Sequence, residues 1–194
     1  MSGKKIERIV LVGAGGVGFW LAVALRRDRP DVELVVYDAD NFAGGQGARR
    51  LPKVNNPETK KVDFLKGWVR MVMGDQPPEV IATKLTAEAF SFGQVMDETL
   101  VVDASDMGLE VRRPLWEACR KAGCQMLRVS YDGNGCVVVA RGLPLSSKPG
   151  GGYTRVPTLA QSLWAGGVGA AAVERLLAGE EVGDYQMELP GGAR

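Results

Sequence analysis

No histidine occurs anywhere in the 194 residues, and that one absence removes the commonest general base and the commonest metal ligand together. Ser-His-Asp hydrolysis, Cys-His proteolysis and His-ligated zinc chemistry are excluded. Cysteine is scarce as well. Cys119, Cys124 and Cys136 are the three, an odd number with no C-x-x-C pair, so neither a disulfide framework nor a zinc site is indicated. Each is read as a small buried hydrophobe. An excess of charge is also lacking: 24 Lys and Arg face 23 Asp and Glu, a net charge of +1, which gives no pull toward nucleic acid or a membrane surface. No apolar run reaches the ~18 residues of a spanning helix. The polar stretch Met1 to Glu7 leads straight into a strand, which argues against a signal peptide and makes a cytoplasmic protein the expectation. There is no internal repeat.

What is present alternates between two periods. Ile9 to Val12 is apolar throughout and stops at glycine, as a strand buried on both faces does. From Val17 to Arg27 the apolar residues recur at helical spacing, and Asp31 to Asp38 contains a second buried strand, "VELVVYD". A strand, a glycine turn, a helix and a strand open a Rossmann-like, doubly wound α/β sheet. The loop "NFAGGQGARRLPKVNN", residues 41 to 56, is longer than an ordinary connection. Asn56 and Pro57 suit the start of a helix to about Met73. Pro78 to Thr83 reads as a third strand, Ala87 to Phe92 as a short helix behind Thr86, and Thr99 to Asp106 as a buried strand ending in two acids.

A helix from about Leu109 to Ala122 follows. Two β-rich segments, Gln125 to Ser130 and Gly135 to Ala140, are joined through "YDGNG", whose Asp-Gly and Asn-Gly steps mark a tight turn between antiparallel neighbours. Thr158 and Gln161 have capping-box spacing and open a helix rich in small residues that runs to Ala178, with Gly179 beyond it. The expected architecture is a single domain over residues 1–179, with a mostly parallel sheet, an antiparallel C-terminal portion and a loosely ordered tail over 180–194.

Three groups of residues carry chemistry. Gly13, Gly15 and Gly18 fit G-x-G-x-x-G between a strand and a helix, with Gly16 a further close-approach glycine. Asp38 stands twenty residues past Gly18. In that setting a phosphate sits at the helix N-terminus and the acid accepts from a ribose hydroxyl. The turn does not choose between NAD and ATP. Asp40 adds a second acid, and Arg49, Arg50, Lys53, Lys60 and Lys61 crowd into thirteen residues of a chain with near-zero net charge. Such a cluster suits a triphosphate, since Arg grips phosphate oxygens bidentately and Lys follows charge on a leaving group. The third group is Asp103 and Asp106 at a strand end, where one carboxylate could hold Mg²⁺ that otherwise keeps waters and phosphate oxygens, or else cap the next helix.

"VGAGGVG", then "DAD", an arginine nine residues after the second acid, a lysine before an apolar residue, and "VVDASD" together resemble the ThiF/MoeB/HesA family, relatives of the ubiquitin-activating enzymes. The resemblance spans roughly residues 6 to 178. It implies ATP and Mg²⁺ as cofactors, and adenylation of the C-terminal carboxylate of a small ubiquitin-like or sulfur-carrier protein ending in Gly-Gly, or of a peptide. It also implies a homodimer. Asp38 and Asp40 match the family's ribose acids, Arg49 its phosphate-contacting arginine, and Lys61, with Lys60 a close competitor, its phosphate-stabilising lysine. Asp106 matches the acid at Mg²⁺ and the α-phosphate, and either Arg112 or Arg113 stands near the arginine that follows it. Gln46 occupies the place of an asparagine, and Arg50 adjoins Arg49 at the phosphates.

The departures narrow the expectation. No zinc pairs occur, the connector "LPLSSKPGGGYTRVP" carries no cysteine, and no N-terminal helix precedes the first strand, so adenylation without a thioester step fits best. An NAD-binding oxidoreductase and a non-catalytic, pseudo-activating subunit are the competing readings.

Overall fold

The glycine turn, the "DAD" acids and the "VVDASD" acids can meet only if the strands that carry them line up, and the sheet register shows that they do. The computed structural model describes residues 5–42, 58–74, 77–81, 83, 85, 98–131, 136–142 and 158–188. Within these, β1 (Arg8–Val12), β2 (Glu33–Tyr37), β3 (Glu79–Ile81), β4 (Thr99–Asp103), β5 (Gln125–Tyr131), β6 (Cys136–Ala140) and β7 (Tyr185–Glu188) form one seven-stranded sheet in the order β3-β2-β1-β4-β5-β6-β7. The first five strands in that order pair parallel, and β6 and β7 are antiparallel. This is the expected Rossmann-like sheet with an antiparallel C-terminal portion. Val12 is in register with Tyr37 on one side and with Asp103 on the other. Gly13, Asp38 and Ala104 therefore leave the sheet side by side at its carboxyl edge, where strand order diverges and ligands of open α/β sheets bind.

Helices α1 (Gly16–Asp28), α2 (Lys61–Met73) and α4 (Leu159–Leu177) cover one face, while α3 (Leu109–Lys121) covers the other. Phe19, Leu21, Ala22 and Leu25 of α1 lie with Val62, Leu65 and Val69 of α2 over Leu11, Val36 and Leu100. Leu115, Trp116 and Cys119 of α3 pack on Val10, Val101 and Met126. Small residues let α4 approach α1: a Cβ on Gly166 would stand 2.8 Å from the Leu21 nitrogen, and one on Gly169 2.6 Å from Leu21 Cδ1. The expected capping box is present, with Gln161 N–H donating to Thr158 Oγ1 at 3.2 Å and Thr158 N–H to Gln161 Oε1 at 2.9 Å. Among the described residues no helix is long and apolar enough to cross a membrane.

Several boundaries differ from the sequence reading. Helix α2 begins at Lys61 rather than Asn56, because Lys60 is extended and bridges to Asn41. Residues 185–188 of the expected tail form β7, since Tyr185 reaches the core and the strand completes the outer edge of β6. Cys119 is buried as expected, but Cys124 and Cys136 are only partly covered. The short helix expected over 87–92 and the Asp132–Gly135 turn lie outside the described residues.

Candidate nucleotide-binding cavity

Gly13 takes φ +98° as the chain leaves β1, and its N–H donates to the Tyr37 carbonyl at 2.8 Å. That left-handed conformation favours glycine. A Cβ on Gly18 would run into the Gly13 carbonyl oxygen, so this spacing lets the first turn of α1 sit directly on the glycine loop. Gly15 is the N-cap of α1, with ordinary φ of −73° and no side-chain cap, and a Cβ there would meet nothing within 4 Å. No acid stands in the first turn. The helix thus presents uncapped N–H groups and its positive dipole end to open space, the arrangement that attracts phosphate.

Asp38 anchors the loop beyond β2. Its Oδ2 accepts from Ala14 N–H at 2.7 Å and its Oδ1 from Asp40 N–H at 2.8 Å. A carboxylate offers about four lone-pair sites, so acceptor capacity remains. Lys61 arrives from α2, held there by backbone: Phe42 N–H donates to Thr59 O at 3.1 Å and Lys61 N–H to Asp40 O at 3.0 Å. An aromatic cluster fixes α2 above α1, with ring centroids 5.7 Å apart for Phe19 and Phe64 and 5.1 Å for Phe42 and Phe64. Lys61 Nζ then lies 2.8 Å from Asp40 Oδ2 and 3.9 Å from Asp38 Oδ2. Lys60 Nζ turns away and donates to the Ala39 carbonyl at 2.9 Å.

The two acids after β4 part company. Asp103 is 1% exposed. Its Oδ1 accepts from Ser105 N–H at 3.0 Å and Ser105 Oγ at 2.6 Å, and its Oδ2 from Arg112 Nε at 2.7 Å. Arg112 Nη2 also donates to Ser105 O at 3.2 Å. Asp103 therefore neither faces a ligand nor caps α3, whose N-cap is Gly108 without a side-chain bond. Arg112 is spent on Asp103, and Arg113 lines a different cavity, so neither arginine stands at the glycine turn. Asp106 is exposed and, among the described residues, has no ion pair or hydrogen bond. The buried pair beneath it holds the Ala104–Asp106 turn against Gly13, whose Cβ, if present, would be 3.0 Å from Ala104 O.

These parts enclose one cavity of about 330 Å³. Gly13, Gly15, Gly16, Asp38, Asp40 and Lys61 line it, with Asp106 opposite. Tyr37, Leu85, Ser105, Met107 and Tyr131 complete the wall; the sequence reading did not single these out. Burial pushes the Tyr37 phenol above its ordinary pKa, keeping it neutral. Among the described residues no three His, Cys, Asp or Glu converge as a metal cluster. Gln46, Arg49 and Arg50 lie outside the described residues.

No family model and no curated protein matches the sequence. Solved structures match its fold. Escherichia coli MccB with ATP aligns with TM-score 0.72 and 15% identity, over 97% of this chain and 66% of that chain. E. coli MccB with AMPCPP and MccA aligns with TM-score 0.71 and 14% identity, over 96% of this chain and 66% of that one. PaaA aligns with TM-score 0.68 and 12% identity, over 99% of this chain and 63% of that one. The chain thus spans just under two thirds of the length of each. At these identities the likeness establishes the fold alone, one shared with MccB and PaaA.

Proposed function

We propose that this chain uses ATP to adenylate the C-terminal carboxylate of a peptide or small protein, without a thioester step. The observation that carries the reading is the cavity in which Lys61, paired with Asp40, and Asp106, unpaired among the described residues, flank the uncapped start of α1. A hydride-transfer site needs the glycine turn and Asp38 but not this additional set of charges. MccB, of the same fold, has been solved with ATP and with AMPCPP and MccA, which favours ATP over NAD.

The chemistry suits a chain without histidine. A terminal carboxylate has a reference pKa of about 3.3 to 3.7 and is an ionised nucleophile at pH 7. No general base is needed, and the protein's task is alignment plus charge stabilisation. In this reading Gly15, Gly16 and the α1 N-terminus receive phosphate oxygens, while Asp38 and Asp40 accept from ribose hydroxyls. Lys61 offsets charge on the departing pyrophosphate. Its pair with Asp40, which is half exposed, is worth at most about 1 kcal/mol, so Lys61 can move to a phosphate at little cost. Arg49, Arg50 and Gln46 belong to the same proposal as phosphate-side contacts.

A lone exposed carboxylate such as Asp106 fits Mg²⁺, which binds through one or two carboxylates and keeps water and phosphate oxygens for the rest. Bound there, the ion supplies neutralisation of phosphate charge. The acceptor in this reading is a small ubiquitin-like or sulfur-carrier protein ending in Gly-Gly, or a peptide, and the assembly a homodimer. A thermal-shift comparison tests the nucleotide. Mg-ATP should raise the melting temperature, and the shift should shrink in Asp38→Ala and Lys61→Ala. Stabilisation by NAD alone would make the chain an oxidoreductase instead.

A further inference from the structure

A second, larger cavity of about 700 Å³ lies on the α3 face, away from the nucleotide cavity. Leu109, Arg113, Trp116, Glu117 and Arg120 line it from α3, residues spaced so that they share one side of a helix. Cys124 to Met126 at the start of β5 and Arg141 after β6 form the other bank. From Leu109 to Arg120 the helix advances about 16 Å at 1.5 Å per residue. One end of this groove begins two residues beyond Met107, which lines the nucleotide cavity.

The lining is rich in donors and poor in acceptors. The side chains of Arg113 and Arg120 are exposed and, among the described residues, make no ion pair or hydrogen bond, and Glu117 between them pairs with neither. Trp116 is 7% exposed, and its indole N–H is buried without an acceptor among the described residues. Arg141 holds only long bonds of 3.4 Å to Gln125 Oε1; its backbone N–H is taken by Asp184 at 2.6 Å. Leu109, Met126 and the Trp116 ring supply apolar wall between these charges.

We infer that this groove binds an extended peptide segment carrying alternating acidic and apolar side chains, and that the segment belongs to the acceptor whose terminus enters the nucleotide cavity. Among the lining residues three arginines stand against Glu117, with Asp184 beside Arg141, and the balance remains basic. The groove is far larger than a phosphate or sulfate needs, and its length matches about five extended residues at 3.3 Å each. Glu117, placed between Arg113 and Arg120, tolerates spaced carboxylates better than an unbroken phosphate backbone, so peptide is favoured over single-stranded RNA. The acceptor assignment rests on the proposed function; the binding of an acidic peptide does not.

Fluorescence anisotropy with the full chain tests it. The probes are a fluorescein-labelled heptapeptide Asp-Leu-Asp-Leu-Asp-Gly-Gly, its counterpart with Lys in place of Asp, and a heptamer of oligouridylate. The Asp peptide should bind about tenfold or more tightly than the Lys peptide, a preference of the size that complementary charge supplies. Arg120→Glu should shrink that preference while leaving stabilisation by Mg-ATP unchanged, and Arg113→Glu with Arg120→Glu should reverse it. Equal affinities, a preference that survives charge reversal, or tighter binding of the oligouridylate would overturn the inference. An intact acidic preference in a chain that Mg-ATP does not stabilise would sink the proposed function alone.

Discussion

The most consequential single residues are those the cavity does not display. Asp103 and Arg112 form an ion pair 1% and 3% exposed, closed by Ser105, and removing one partner of such a pair leaves an uncompensated buried charge. Arg112→Met should cost about 3–5 kcal/mol, whereas Asp103→Leu with Arg112→Met should recover most of it. Denaturant melts of the two variants measure this; a loss below about 1 kcal/mol for the single change would contradict the buried-pair account. Cys119 offers a test by pH. Burial pushes its thiol well above the ordinary value. A raised folded-state pKa contributes stability that is complete below the unfolded thiol's value and is lost as pH rises through that value toward the folded one. The alkaline decline in stability should therefore be shallower in Cys119→Ala, and alkylation at pH 8 followed by mass spectrometry should find Cys119 unmodified until the chain unfolds.

At the scale of elements, the glycine loop and α1 carry a prediction that separates folding from binding. A Cβ at Gly15 meets nothing, while one at Gly18 collides with the Gly13 carbonyl. Gly15→Ala should keep its melting temperature yet lose stabilisation by Mg-ATP, because the new methyl enters the cavity beside the helix start. Gly18→Ala should lower the melting temperature itself. If Gly15→Ala binds nucleotide normally, the phosphate is not at the start of α1.

The strand-turn-helix-strand opening was legible because the buried strands are continuous apolar runs and the turn needs glycine at fixed places. The capping box of α4 was legible for the same reason, being a short-range pattern. Which of Asp103 and Asp106 is buried was not legible in the local pattern, although the family resemblance singled out Asp106, because it depends on Arg112, nine residues on and across a helix start, choosing one acid and burying it. Lys60 and Lys61 were likewise inseparable until the Asn41 bridge fixed which side chain turned to the cavity. β7 escaped notice because its sequence, "YQME", has little apolar content and is held by its pairing with β6.

Across the whole molecule, the parallel sheet brings a glycine turn, two acids, a lysine and a further acid to one edge from segments nearly a hundred residues apart. The central claim is that this edge activates a carboxylate with ATP. Pyrophosphate exchange into ATP measures that claim most directly, using the full chain with Mg²⁺ and candidate acceptors ending in Gly-Gly. The account predicts exchange only when an acceptor is present, falling by about 10²–10³ in Asp106→Ala, Lys61→Ala and Arg49→Ala. Exchange that proceeds unchanged in these variants would contradict the site, and Mg-ATP binding without exchange for any acceptor would leave a non-catalytic nucleotide-binding subunit in place of an enzyme.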